Sequence, residues 1–297
     1  MEDVLRQEKM SNASPAGPQS ARPRIRRITI LTSIYMLLAI ILVVQFFPLA
    51  WAFLTSFMTP AETTSIPATI VPLHPTFSSY FESLEGDIRQ YYSNSTTVST
   101  ISTIVTIILA TLAAYAFARL RFRFKTALLL FVLSLSLFPP LVQVIPVYQI
   151  LQKFHLIGTL AALILPYTVS GLPLAVLVLI AIFQDIPSDT EEAAMVDGLT
   201  RWGAFLRIFL PMVMPGLFTA IVIIFVSDWN EYLFALNYTT PNTSTLPVGL
   251  VSTSQTEFTT QFGILSAAII ISVIPLIVRI LLMERRFVSG LTAGTLK

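Results

Sequence analysis

Six stretches free of aspartate, glutamate, lysine and arginine organise this chain: 28–61, 90–118, 126–152, 154–184, 208–227 and 258–278. About 20 residues of helix cross a bilayer core, and one charge at its centre costs roughly 2.5 to 3.5 kcal/mol, so a spanning helix requires runs of this kind. One such run would fit the core of a water-soluble domain, but six leave too little polar surface to enclose them. Of the 297 residues only 11% are charged, against about 25% in soluble domains. The expected fold is all-α, a polytopic membrane protein with six transmembrane helices.

The basic residues set the expected orientation. With the N-terminus in the cytoplasm, Arg119, Arg121, Arg123, Lys125, Arg201, Arg207, Arg279, Arg285, Arg286 and Lys297 fall on the same side as the six basic residues before the first run. Only Arg89 and Lys153 fall outside, so 16 of the 18 lysines and arginines are inside, as the positive-inside rule favours. Both termini are therefore expected in the cytoplasm of a multi-pass protein of a bacterial or archaeal cell membrane. A net charge of +2, carried in short clusters between apolar runs, points to lipid and not to nucleic acid as the surroundings.

The first run resembles a secretory signal in its flanks, with Arg22, Arg24, Arg26 and Arg27 before it and Ala50-Trp51-Ala52 near its end. Its apolar core is about twice the usual length of ~7 to 15 residues, which reads as a retained anchor. The expected organisation is a disordered cytoplasmic N-terminus (1–27), a first transmembrane helix (28–58) and an external loop with little regular structure (59–94). A transmembrane core (95–283) containing a cytoplasmic loop (185–211) and a cytoplasmic tail (284–297) complete it. Pro139, Pro140, Pro146, Pro166, Pro173, Pro211 and Pro215 crowd the third to fifth runs. They read either as kinks of a protein that opens and closes or as the ordinary proline content of membrane helices.

The chain has no cysteine, and its two histidines, His74 and His155, lie far apart in external loops, so neither a disulfide nor a metal site is expected. No serine, histidine and carboxylate arrangement suggests a membrane hydrolase. None of the four lysines follows a glycine, so there is no phosphate-cradling G-x-x-x-x-G-K-[ST] loop, and the chain is not expected to be an ATPase or any other enzyme. The runs hold no carboxylate that would serve an ion-coupled transporter working alone.

Between the fourth and fifth runs stands Pro187-Ser188-Asp189-Thr190-Glu191-Glu192-Ala193-Ala194-Met195-Val196-Asp197-Gly198. Ser188 with Glu191 fits a capping box, and Gly198 fits a left-handed helix stop. A second helix is expected from Thr200 through Trp202, Phe205 and Phe209 to Pro211, giving a hairpin at the membrane surface. Glu192, Ala193, Ala194, Gly198, Ile208, Leu210 and Pro211, at these spacings, resemble the EAA loop of ABC importer permeases. Ala113-Ala114-Tyr115, Ile145-Pro146-Val147-Tyr148, Trp229-Asn230-Glu231 and Gly290-Leu291-Thr292-Ala293-Gly294 resemble the maltose-type inner permease, over roughly 95–297. Leu199 and the ending Gly294-Thr295-Leu296-Lys297 depart from the family's pattern.

The resemblance implies a permease subunit of a sugar importer. Its partners would be a second permease, two cytoplasmic ATPase subunits that bind the ATP and magnesium, and an external solute-binding protein. The loop residues would couple to the ATPase, Gly290 and Gly294 would belong to a tail that contacts it, and 237–261 would face the binding protein. Asp228, Trp229, Asn230 and Glu231 interrupt an apolar segment, with Asp228 and Glu231 on one helix face. They read as part of a sugar pathway, with Trp229 stacking on a sugar ring, or as an interfacial anchor.

Overall fold

A backbone that crosses lipid must satisfy its own hydrogen bonds, and helices do this within one segment. The computed structural model describes residues 22–85, 87–187, 189–255 and 262–294, and all its regular elements are helical. The chain divides after Trp51. The first unit, Met1–Trp51, holds most of helix α1 (Arg22–Thr55), whose side chains from Ile30 to Ala50 are all exposed. A helix apolar on every face has lipid as its natural solvent.

The second unit, Ala52–Lys297, is built around α4 (Ile88–Arg119), α7 (Ala161–Gln184) and α10 (Leu210–Trp229). α4 and α7 make the most extensive contact, and α10 packs on both. Small side chains permit the approach: Ala110 and Ala114 of α4 and Ala175 of α7 are buried in one cluster with Phe183, Phe205 and Phe209. A Cβ at Gly216 of α10 would overlap the side chain of Ile182 of α7.

Among the described residues four helices are long and apolar enough to cross a membrane: Ile30–Thr55, Ile88–Arg119, Ala161–Gln184 and Arg201–Trp229. The third of the six expected spans is a broken one, which forms α5 (Lys125–Ser134), a 3-10 turn at Leu135–Leu137 and α6 (Pro140–Lys153). The two halves meet at 100°. The cause is Pro139-Pro140: a residue before proline is pushed out of helical geometry, and Phe138 and Pro139 have ψ of 119° and 133°. The sixth run supplies the shorter apolar part, Phe262–Val278, of a helix continuing to Gly294 (α13, Phe262–Gly294).

The fifth span begins before the uncharged run, because Arg201–Ala204 (α9), a π turn at Phe205–Phe209 and α10 follow without a break. Pro211 has no N–H for the Arg207 carbonyl four residues back, and the Leu210 N–H bonds to Phe205 O, five back.

The segment after the first span is more ordered than expected. It contains α2 (Pro60–Thr63) and α3 (Ser78–Glu85), and Thr59 with Glu62 forms a reciprocal capping box. The buried Glu62 carboxylate accepts the Thr59 N–H at 2.9 Å, the Leu73 N–H at 3.0 Å and the His74 N–H at 2.9 Å. These bonds, that of Thr59 foremost, hold its carboxyl below the usual carboxylate range.

Candidate functional site

The Glu192 loop folds as a helix and a corner. α8 (Asp189–Val196) carries Asp189, Glu191 and Glu192 in its first turn, where acidic groups oppose the positive end of the helix dipole. Ser188, and with it the expected capping box, lies outside the described residues. Gly198 has φ +85°, its N–H bonds to Met195 O at 3.1 Å, and the Leu199 N–H bonds to Ala194 O at 3.0 Å. This is a Schellman stop, and it requires the left-handed conformation that glycine adopts without strain. Thr200 then caps α9, its hydroxyl accepting the Gly203 N–H at 3.1 Å.

The loop has two faces. Ala194 is 2% exposed and packs into the cluster of Phe183, Ile186 and Phe205. Glu192 and Ala193 point outward, and beside them Val196 is 86% and Trp202 59% exposed. Ile208 lies half-buried in the π turn, Leu210 half-buried at the start of α10, and Pro211 exposed in its first turn. The second arm of the expected hairpin is thus corrected: it is the start of the fifth span.

Arg119, read from sequence only as a topology charge, ends α4 and reaches this corner. Its Nη2 donates to Phe183 O at 2.7 Å and to Ile186 O, the carbonyls at the C-terminal end of α7. Its guanidinium lies 5.1 Å from the Phe209 ring centroid. Tyr115, one turn earlier, contacts Phe183, Phe205 and Phe209 at ring separations of 5.8, 4.8 and 5.6 Å. Arg119, Arg121, Glu191, Glu192, Met195 and Arg201 line a polar cleft of ≈ 430 Å³ beside α8.

The second polar cluster is rearranged relative to expectation. α10 ends at Trp229, so Asp228 and Glu231 do not share a helix face, because Glu231 lies past the end. Asp228 Oδ2 accepts the Ser102 hydroxyl of α4 at 2.5 Å and the Thr103 hydroxyl at 3.4 Å. Glu231 accepts the Tyr167 hydroxyl of α7 at 2.6 Å and the N–H groups of Phe234 and Ala235 at 2.8 and 3.1 Å. It thereby caps α11 (Leu233–Tyr238). Asn230 is exposed and donates back to Val226 O at 2.8 Å.

Trp229 is 5% exposed, its ring covered by Tyr92 and Phe225. An indole buried this way has no free face to stack on a sugar ring, which corrects the stacking expected of Trp229. Tyr167 and Ser102 were missed because only tertiary structure brings them to Glu231 and Asp228.

The stretch from 237 also returns into the bundle. Asn94 of α4 donates to Asn242 O at 3.0 Å and Ser244 O at 2.9 Å, and the Leu246 N–H bonds to Ser95 Oγ at 2.8 Å before α12 (Leu246–Gln255). Residues 256–261 lie outside the described residues. Gly290 and Gly294 lie in the last turns of α13, continuous with the sixth apolar run and not in a separate tail; 295–297 fall outside the described residues. Among the described residues no group of acidic or histidine side chains could hold a metal ion.

A family model, described as binding-protein-dependent transport system inner membrane component, matches residues 106–291. The chain is 39% identical over 261 residues to the sulfoquinovosyl glycerol transport system permease protein SmoH of Agrobacterium fabrum, covering 87% of this chain and 91% of that protein. It is 33% identical to the trehalose/maltose transport system permease protein MalG of Thermococcus litoralis, covering 91% of this chain and 99% of that protein. A chain of a bacterial ABC transporter that imports the acidic polysaccharide alginate shares the fold, with a TM-score of 0.76 at 20% identity, over 92% of this chain and all of that one.

Proposed function

Because this chain belongs to the family of binding-protein-dependent transport system inner membrane components, which are permease subunits and not enzymes, we propose that it is a permease of an ATP-driven sugar importer. The observation that carries the sugar assignment is near-full-length similarity to permeases of sulfoquinovosyl glycerol and of trehalose and maltose. On this reading the chain forms half of a translocation path with a second permease, receives its solute from an external binding protein, and takes no cofactor itself. Two ATPase subunits bind ATP and magnesium, and one of them docks on the exposed face of α8, at Glu192, Ala193 and Val196, and contacts the end of α13 around Gly290 and Gly294. Asp228 and Glu231 serve the path indirectly by holding its helices, and Asn230 is the exposed polar group of that cluster.

Uptake of radiolabelled solutes by cells with and without the gene tests the assignment. Loss of uptake of a glycoside or disaccharide is expected; loss confined to amino acids or metal ions overturns it. The same reading places α8 in the cytoplasm and the Thr59 segment outside. The chain has no cysteine, so Ala68→Cys and Val196→Cys, both at exposed positions, report sidedness directly. An impermeant thiol reagent on intact cells should label the first only, and the reverse pattern refutes the orientation.

A further inference from the structure

The corner at α8 would transmit force only if it were stiff, and the described side chains show what stiffens it. α8 itself is attached lightly. It has eight residues, ends in a left-handed turn at Gly198, and buries Ala194 alone. A displaced helix held this way would pivot on Gly198 unless the surface under Ala194 were fixed. That surface is the end of α7 (Phe183 and Ile186) and the π turn (Phe205). π turns have looser hydrogen bonding than α-helix, and a helix end has unpaired carbonyls, so both are intrinsically soft.

Two side chains of α4 tie these soft pieces together, Tyr115 by ring contacts with Phe183, Phe205 and Phe209, and Arg119 by the polar contacts that reach the backbone. Arg119 Nη2 bonds Phe183 O and Ile186 O, which spans the exit from α7, while the same guanidinium lies over Phe209 of the π turn. Its own backbone is the last residue of α4, the helix most extensively packed against α7. A guanidinium is suited to this because its planar fork serves two carbonyls while its face meets a ring; an ammonium offers a point charge without a face.

We infer that Arg119 is a positioning residue for coupling. By fixing the end of α7 and the π turn to α4, it makes the seat of α8 move as one body with all three spans. The inference rests on the proposed docking of an ATPase subunit on α8, and its test separates the two.

Spin labels at Asp197→Cys, an exposed position just past α8 and outside the proposed docking residues, and Arg123→Cys, just beyond α4, are placed in the transporter purified with its ATPase. Their separation is measured without nucleotide and with ATP and vanadate. The native joint should give one narrow distance unchanged by nucleotide. In Arg119→Ala, nucleotide should shift the distance by about 2 Å or more, the scale of helix displacement in coupled transitions, or split it. Without nucleotide the distance should stay native.

Arg119→Lys should restore part of the native behaviour, and Phe209→Leu, which removes the ring but keeps an apolar side chain, should shift the distance in the same sense as Arg119→Ala. The last two variants carry the measurement if Arg119→Ala does not accumulate. A merely structural role predicts equal broadening with and without nucleotide, and that result overturns the inference. So does a native distance that changes with nucleotide, or an Arg119→Ala protein indistinguishable from native. Failure of the native chain to retain any ATPase on purification overturns the docking itself, independently of these distances.

Discussion

Ser102 and Asp228, 126 positions apart in sequence, meet at 2.5 Å between Oγ and Oδ2 and join α4 to α10 inside the bundle. The carboxylate is 7% exposed, and the Thr103 hydroxyl at 3.4 Å is its other short contact. Interhelical hydrogen bonds in membranes contribute up to about 1 to 2 kcal/mol, so Asp228→Ala should lower stability by that amount. Asp228→Asn keeps an acceptor oxygen of the same reach and should lie close to native. Unfolding in mixed detergent micelles measures both. Equal losses for alanine and asparagine would show that charge, not acceptance of the Ser102 proton, holds the helices.

Glu231 has a different task, since its two oxygens accept the free N–H groups of Phe234 and Ala235 while Tyr167 reaches it from α7. Loss of an N-cap costs about 1 kcal/mol, so amide exchange at Phe234 and Ala235 should accelerate about fivefold in Glu231→Ala. Tyr167→Phe removes the link to α7 and leaves the cap, so those two amides should exchange at nearly native rates. Acceleration in both variants alike would mean that the tyrosine, not the cap, orders α11.

Much of this was legible from residue types alone, and the boundary lies where chain-distant contacts begin. α4 runs Ile88–Arg119 where the uncharged run is 90–118, because the arginines that end the apolar run, Arg89 and Arg119, stand at the ends of the helix. Gly198 was legible because a helix stop with φ +85° accepts few other residues. The bend at Pro139-Pro140 was not, since an apolar run does not reveal the angle at which its halves meet. Nor was Arg119: a basic residue at the end of a span satisfies the charge pattern equally well whether it faces water or a backbone carbonyl such as that of Phe183. Glu62 looked like a loop acid because its donors at Leu73 and His74 lie 11 and 12 residues away.

Glu62 supplies a pH prediction. Its folded carboxyl titrates below the ordinary value of 4.5, chiefly through the Thr59 N–H bond. A depressed folded value means that the ionised form binds the fold more tightly. The stabilisation is therefore complete above 4.5, declines as pH falls below it, and is lost as pH passes through the folded value. Exchange of the Leu73 and His74 amides should show extra opening only in that acid window, after correction for the intrinsic pH dependence of exchange. In Glu62→Gln it should be raised at neutral pH with no further step. A native protein whose opening instead rises between pH 6 and 8 would assign the segment's order to some other group.

Gly198 and Glu192 separate backbone strain from recognition at the α8 corner. No atom lies within 4 Å of a Cβ built at Gly198, so a side chain there meets no steric obstacle and pays only for the left-handed backbone. That strain is about 1 to 2 kcal/mol for most residues, less for asparagine and more for β-branched ones. Gly198→Asn, Gly198→Ala and Gly198→Val should therefore impair uptake in that order. The protein should remain in the membrane each time, because Gly198 itself is exposed and its substitution displaces no packed side chain. Glu192 is exposed and its side chain holds no hydrogen bond among the described residues, so Glu192→Ala should change stability by no more than the dipole term of about 0.3 to 1 kcal/mol. If Glu192 meets a basic residue of the ATPase, its loss should still reduce co-purified ATPase and uptake about tenfold or more, since truncating a buried charge pair costs 2 kcal/mol or more, roughly. Quantifying membrane protein, bound ATPase and uptake in parallel distinguishes the cases. Normal assembly and uptake in Glu192→Ala would leave α8 as a surface turn, whatever the glycine series shows.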